Sequence, residues 1–169
     1  MTSRFDGSST PVARALSLSS TSLLAYFQRR LGAQDAADAL AEVMVTAWRR
    51  ADVLPVDDEE ARMWLFVVAR NVLSNIERGE RRRWRLANRL RSTLVAEDAP
   101  SADAGAEVRD AISRLEPALA ELVRLIHWDG FSVADAAQVL DISASTARSR
   151  YQRAKRDLLE SLSMLGVAR

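Results

Sequence analysis

Residues 132–162 constrain the fold of this chain more than any other stretch. "SVADAAQVL" (132–140) is a short amphipathic segment and "DIS" (141–143) is a three-residue break. Beyond the break, Ala147, Tyr151, Ala154, Leu158 and Leu162 form an apolar stripe that only a helix can bury along one side. Ser132 and Ser143 stand where helix-capping hydroxyls stand. The pattern predicts a short helix, a tight turn and a longer helix, which is a helix-turn-helix. Ala137 is small enough for the two helices to cross closely, and Ile142 can plug the angle between them. Asp141 holds the turn position usually given to glycine, where a left-handed backbone disfavours a side chain.

The face opposite the stripe is basic. Five basic side chains fall between Arg148 and Arg156, and no acid appears before Asp157. Arg148, Ser149, Gln152 and Arg153 point away from Ala147, Tyr151 and Ala154, as on a helix lying in a DNA major groove. Arginine can chelate guanine and glutamine adenine, each good pair giving about 1–3 kcal/mol of discrimination. Arg150, Lys155 and Arg156 lie nearer the flanks and suit phosphates. The plainer reading is a solvated helix whose arginines serve solubility. The preceding helix, the turn length and the two acid-free turns favour DNA.

Helical spacing recurs through the rest of the chain. From about residue 16, Leu24, Phe27 and Leu31 repeat at helical intervals up to Gly32. Asp35 is placed to cap a second helix, in which Ala36, Leu40, Val43 and Ala47 share a face and Trp48 follows. Pro55 breaks the pattern, and the acids from Asp57 to Glu60 favour a new helix start. That third helix is expected over about 59–77, with Leu65, Ala69, Val72 and Ile76 on one side. Met63 to Ala69 is apolar all round, which places it at the centre of a bundle with Trp64 in the core. No alternating stretch is long enough for a strand.

Between Glu77 and Arg91 seven arginines face two glutamates, a local net charge of +5. Trp84 lies among them, placed to stack on an exposed base. Asn71 and Asn75 are one turn apart and can face the same unpaired base, offsetting the few kcal/mol of its extrusion. "VAEDAPSADAGAE" (95–107) is small, acidic and broken by proline and glycine, as a linker is. Ile112, Leu115, Leu119, Leu122 and Ile126 then form a stripe interrupted by Pro117, which requires a bend or two shorter helices. The expected fold is all-α: two small helical bundles joined by a flexible acidic linker. The parts are a lead over 1–15, a first bundle over 16–95, a linker over 96–107 and a helix-turn-helix bundle over 108–169.

Composition narrows the function. The net charge of +1 over 169 residues hides strong segregation. With no cysteine there is no disulfide, thiolate nucleophile or Cys/His zinc site, which fits a cytoplasmic location. His127, the single histidine, has no nucleophile to serve and is expected to pack or cap. A phosphate-binding glycine loop with its lysine is missing. No catalytic residue, metal or cofactor is expected. No apolar run approaches the roughly 18 residues of a membrane span, so no membrane insertion is expected.

Three stretches in this order resemble the bacterial sigma factors of the extracytoplasmic-function (ECF) group, over about residues 20–163. They are "DAADALAEVMVTAWRR" (35–50), "ARMWLFVVARNVLSNIERGERRR" (61–83) and the segment from Arg114 to Leu162. The resemblance implies that Asp38, Leu40, Glu42 and Trp48 dock on core RNA polymerase. It implies that Trp64, Arg70, Asn71, Asn75 and Arg78 act at the minus-ten element. Arg148, Ser149, Gln152 and Arg153, with Arg156 beside them, would then read the minus-thirty-five element. The implied partners are core RNA polymerase, promoter DNA and an anti-sigma factor. The implied activity is promoter recognition and opening, with no enzymatic step of its own. The acidic linker, with Glu97, Asp98, Asp103 and Glu107, would thread the polymerase. The docking block departs from the family pattern at Ala37, Ala39 and Ala41, and Asn75 stands where an aspartate is common. The second reading is a stand-alone dimeric helix-turn-helix regulator. The arginine-rich stretch and the lack of ligand-pocket signals favour the first.

Overall fold

Thr10 and Pro11 start the first helix. The Thr10 hydroxyl accepts from the Ala13 N–H at 3.3 Å, and Pro11 takes the first helical position, where no N–H is needed. The structure is a computed structural model that describes residues 10–90 and 106–164, side chains at 84–90, 106 and 164 excepted. The described residues form seven α-helices and one short 3-10 turn, with no strand. The chain is therefore all-α, as expected, and divides into two compact units at 87/88.

The first unit holds α1 (Pro11–Leu31), α2 (Ala33–Arg49) and all but the last three residues of α3 (Asp58–Leu90). Helix α1 starts ahead of the expected position near residue 16, so residues 11–15 are helical. Its buried side is Leu16, Leu23, Tyr26 and Phe27, whereas Leu24 and Leu31 are half-buried. Tyr26 takes the centre because its ring meets Phe27 and Phe66 edge-on at 5.3 and 5.5 Å, an arrangement favoured by aromatic quadrupoles. The Arg30 guanidinium lies 3.7 Å from the Tyr26 ring centroid. Gly32, at φ 83°, ends α1 and also occupies the cap position of α2. Asp35 is thus in the first turn of α2, near the positive end of its dipole, and is not the cap. The α2 face packed on α1 is nearly all small: Ala36, Ala39, Val43 and Ala47 are buried and Leu40 only half so.

Asp57 starts α3, its Oδ1 accepting from the Glu59 and Glu60 N–H groups at 3.0 Å each. Next to it, Arg14 donates to Asp58 from Nε at 3.1 Å and Nη2 at 2.5 Å, fastening the start of α1 to that of α3. This bond, and the charge of Asp58, hold the Arg14 guanidinium above the ordinary arginine pKa. Leu65, Phe66, Ala69 and Val72 are buried, while Trp64 is half-buried at the rim of the core in which it was expected. Helix α3 does not end near Glu77. It continues to Leu90, and its 33 residues span about 50 Å. Arg78 and Arg81 donate through Nε to the carbonyls of Ser74 and Glu77, each at 3.2 Å. Arg81 also pairs with the Glu77 carboxylate at 3.7 Å.

The second unit holds α4 (Ala106–Ser113), α5 (Pro117–His127), α6 (Val133–Leu140) and α7 (Ala144–Met164). Pro117 separates two helices, as expected, by taking the first position of α5. Ile112, Leu115, Leu119, Ala120, Val123 and Ala154 form one buried cluster, with Leu158 against it. Leu122 is buried too, and Ile126 is half-buried. Ala106 and Glu107, expected in the linker, belong to α4. Glu97, Asp98, Asp103 and Arg91 lie outside the described residues, as does the Trp84 side chain.

Candidate nucleic-acid interface

Two reciprocal bonds set the entry to α6. Ser132 Oγ accepts from the Asp135 N–H at 3.1 Å, and Asp135 Oδ2 accepts from the Ser132 N–H at 3.3 Å, a complete capping box. The exit is equally specified. Asp141 adopts φ 54°, ψ 48°, its N–H bonds to the Gln138 carbonyl at 3.1 Å, and the Ile142 N–H reaches back to Ala137 at 3.0 Å. This is a Schellman close with aspartate in the glycine position. Asp141 is the one non-glycine residue at positive φ among those described. Ser143 then caps α7, accepting from the Thr146 N–H at 3.1 Å. Helix α6 packs on α7, and Ala136, Ala137 and Ala147 are all buried small residues. The helix-turn-helix is thus set by its caps, turn and small contacts, as the sequence predicts.

Helix α7 hides Ala147 and Ala154 completely, and Tyr151 is half-buried. Arg148, Ser149, Gln152, Arg153 and Arg156 are all exposed on the other side. The Tyr151 hydroxyl lies 2.9 Å from His127 Nε2, so the histidine pins the end of α5 to the middle of α7. Lys155 Nζ sits 4.8 Å from the Tyr151 ring centroid. One feature is not apparent in the sequence. Arg153 Nη1 is 3.2 Å from a Glu116 oxygen and its Nε is 3.8 Å from Asp157. The Asp157 contact has an i,i+4 signature; the Glu116 contact crosses from another helix and has none.

A second candidate surface lies on α3. Trp64, Asn71, Asn75 and Arg78 are spaced by seven, four and three residues, which puts them on one stripe flanking the buried face. Asn71, Asn75 and Arg78 are exposed. Arg70 does not join them: it is about 100° further round the helix and half-buried. Arg78 Nη2 donates to Asn75 Oδ1 at 2.6 Å, which leaves the Asn75 amide NH2 as the donor for another group. Arg50 stands 5.9 Å from the Trp64 ring centroid. On α2, Asp38, Glu42 and Trp48 are exposed and Leu40 is half-buried. Ala37 and Ala41 are exposed, whereas Ala39 is buried and serves the packing on α1. Val45 and Trp48, three residues apart on α2, expose 47% and 52% of their surface.

The Sigma-70, region 4 family matches residues 105–158, the span from α4 into α7. The ECF RNA polymerase sigma factor SigL of Mycobacterium tuberculosis H37Rv is 34% identical over 146 residues, covering 81% of this chain and 80% of SigL. The chain belongs to the ECF RNA polymerase sigma factors. It is accordingly a DNA-binding subunit of transcription initiation. Two solved structures share the sigma factor's fold. The sigma factor RpoE in complex with the anti-sigma factor NepR, from Bartonella quintana, superposes with a TM-score of 0.70 at 24% identity, covering 92% of this chain and 97% of that one. CnrH in complex with the cytosolic domain of CnrY gives 0.64 at 22% identity, with 90% and 88% covered. Among the described residues of this sigma factor, no cluster of histidine, aspartate or glutamate is arranged to hold a metal ion, and no helix is long and apolar enough to cross a membrane.

Proposed function

We propose that this sigma factor confers promoter choice on core RNA polymerase through three surfaces. Helix α7 enters the major groove of the minus-thirty-five element, where Arg148, Ser149, Gln152 and Arg153 meet base edges and Arg156 meets phosphate. The α3 stripe of Trp64, Asn71, Asn75 and Arg78 receives the unpaired minus-ten strand, with Arg70 on a neighbouring face for the backbone. The outer face of α2, with Asp38, Glu42, Trp48 and the edge of Leu40, docks on the polymerase. The observation that carries the reading is the exposed basic face of α7 directly opposite its buried alanines.

The chain supplies binding energy and no bond chemistry. Holding a base out of the stack costs a few kcal/mol, which amide and guanidinium contacts along α3 offset. The complexes of RpoE with NepR and of CnrH with CnrY support an anti-sigma factor as the partner that silences this chain. It works in the cytoplasm, where its polymerase is. Transcription by purified bacterial core polymerase on genomic promoter fragments, with and without the chain, tests the reading. Promoter-specific transcripts should need the chain. A chain that leaves transcription unchanged, yet binds a symmetric duplex as a dimer, would be the stand-alone regulator instead.

A further inference from the structure

The guanidinium of Arg153 is bracketed by two carboxylates. Glu116 Oε2 lies 3.2 Å from Nη1, and Asp157 Oδ2 lies 3.8 Å from Nε. A guanidinium offers two bidentate edges, Nε with Nη2 and Nη1 with Nη2; Glu116 lies beside the Nη1 end of the second, whereas Asp157, at 3.8 Å from Nε, is beyond hydrogen-bond distance and contributes charge alone. Chelating the O6 and N7 atoms of guanine needs one whole edge. A guanine that takes Arg153 therefore has to draw it away from the charge of Glu116.

The two acids are not equivalent. Asp157 is on α7 and travels with Arg153. Glu116 belongs to the entry of α5, and its backbone carbonyl is fixed by the Leu119 and Ala120 N–H groups at 2.8 and 3.0 Å. It occupies the N-cap position of α5, but its side chain makes no capping bond, so the carboxylate is not needed to start the helix. It is directed instead at a residue 37 positions along the chain.

We infer that Glu116 competes with promoter DNA for Arg153 and so sets how strongly the upstream element is read. This rests on the proposed role of α7. When a base pair offers guanine, Arg153 leaves Glu116 for it. When it does not, Arg153 returns to Glu116, and a wrong base leaves no charge unpaired. Both effects flatten discrimination at that base pair. Both side chains are more than half exposed, at 58% and 53%, so the competition is mild.

Glu116→Gln keeps the shape and removes the charge. The test uses holoenzyme assembled from the full chain and bacterial core RNA polymerase. Upstream duplexes are first selected from a randomised pool by the wild-type holoenzyme. Affinity is then measured for the selected duplex and its single-base variants, with wild type, Glu116→Gln, Arg153→Ala and the double substitution. Glu116→Gln should tighten binding to the selected duplex by about two- to fivefold, the span of an exposed ion pair. It should sharpen preference only at the base pair whose preference Arg153→Ala abolishes, and in the Arg153→Ala background that sharpening should vanish. Equal tightening on every duplex in both backgrounds would mean simple repulsion of phosphate and overturn the inference; so would no change, or weaker binding. If Arg153→Ala alters no base preference, the proposed recognition face itself fails, and the inference with it. Glu116→Ala serves as a second variant, and thermal melting of each protein checks that α5 is intact.

Discussion

Asp141 closes the turn of the helix-turn-helix in a conformation that glycine holds at less cost, and replacing it gives a signed prediction. The left-handed region costs an L-residue about 1–2 kcal/mol, less for aspartate, whose short side chain bonds locally. Glycine removes that cost but adds unfolded-state freedom worth about 0.5–1 kcal/mol. Asp141 is exposed, and its backbone bonds to Gln138 and its neighbour's to Ala137 need no side chain. Asp141→Gly should therefore stabilise the second unit by about 0.5 kcal/mol, a rise of about 2–4 °C for a unit of this size. Asp141→Ala keeps the Cβ and loses the local carboxylate, and should destabilise by about 1 kcal/mol. Calorimetry on the full chain reads both, the relevant transition being the one that Phe66→Ala in the first unit leaves in place. If Asp141→Ala melted at or above wild type, or Asp141→Gly below Asp141→Ala, the left-handed turn would not be the strained point of this motif.

Phe66→Ala itself should cost the first unit about 3–5 kcal/mol, because the ring is fully buried against Tyr26; chemical denaturation followed by tryptophan fluorescence measures it. Arg153→Ala should reduce base discrimination at one upstream position by about 1–3 kcal/mol, read by competition binding of holoenzyme with base-substituted duplexes. Asn71→Ala should impair promoter opening more than initial binding, read by permanganate footprinting beside a binding isotherm; unchanged opening would remove Asn71 from the strand-capture surface.

What was legible in the sequence follows from the range of each interaction. The helix-turn-helix is a local object: Ser132 meets Asp135, Ile142 meets Ala137, and Ser143 meets Thr146, all within five residues. Pro117 likewise declares its position without help from the rest of the chain. Tyr26 was not legible as the centre of the first core, because it needs Phe66, forty residues away, to bury its ring. Glu116 was hidden for the same reason, since its partner lies on another helix. The start of α2 was misplaced because Gly32 both ends one helix and opens the next, leaving Asp35 no cap to make.

The long α3 shows why its end also escaped a reading by apolar period. Among its described side chains, which run to Arg83, the buried ones stop at Leu73, and beyond it the exposed side chains are mostly polar. What continues the helix is propensity and local pairing. Arginine and leucine are good helix formers, Glu77 pairs with Arg81, and Arg78 holds both Ser74 and Asn75. Each such contact stabilises by a few tenths of a kcal/mol, far less than burial does. The first half of α3 therefore carries the second, as a packed helix extends its ladder into a segment that would not nucleate alone. Arg78, Arg81, Arg82 and Arg83 are all exposed, so a phosphate backbone can approach them without displacing a packed core. On the proposed reading, stability and strand capture are divided along one helix, with Asn71 and Asn75 where the buried half gives way to the charged half.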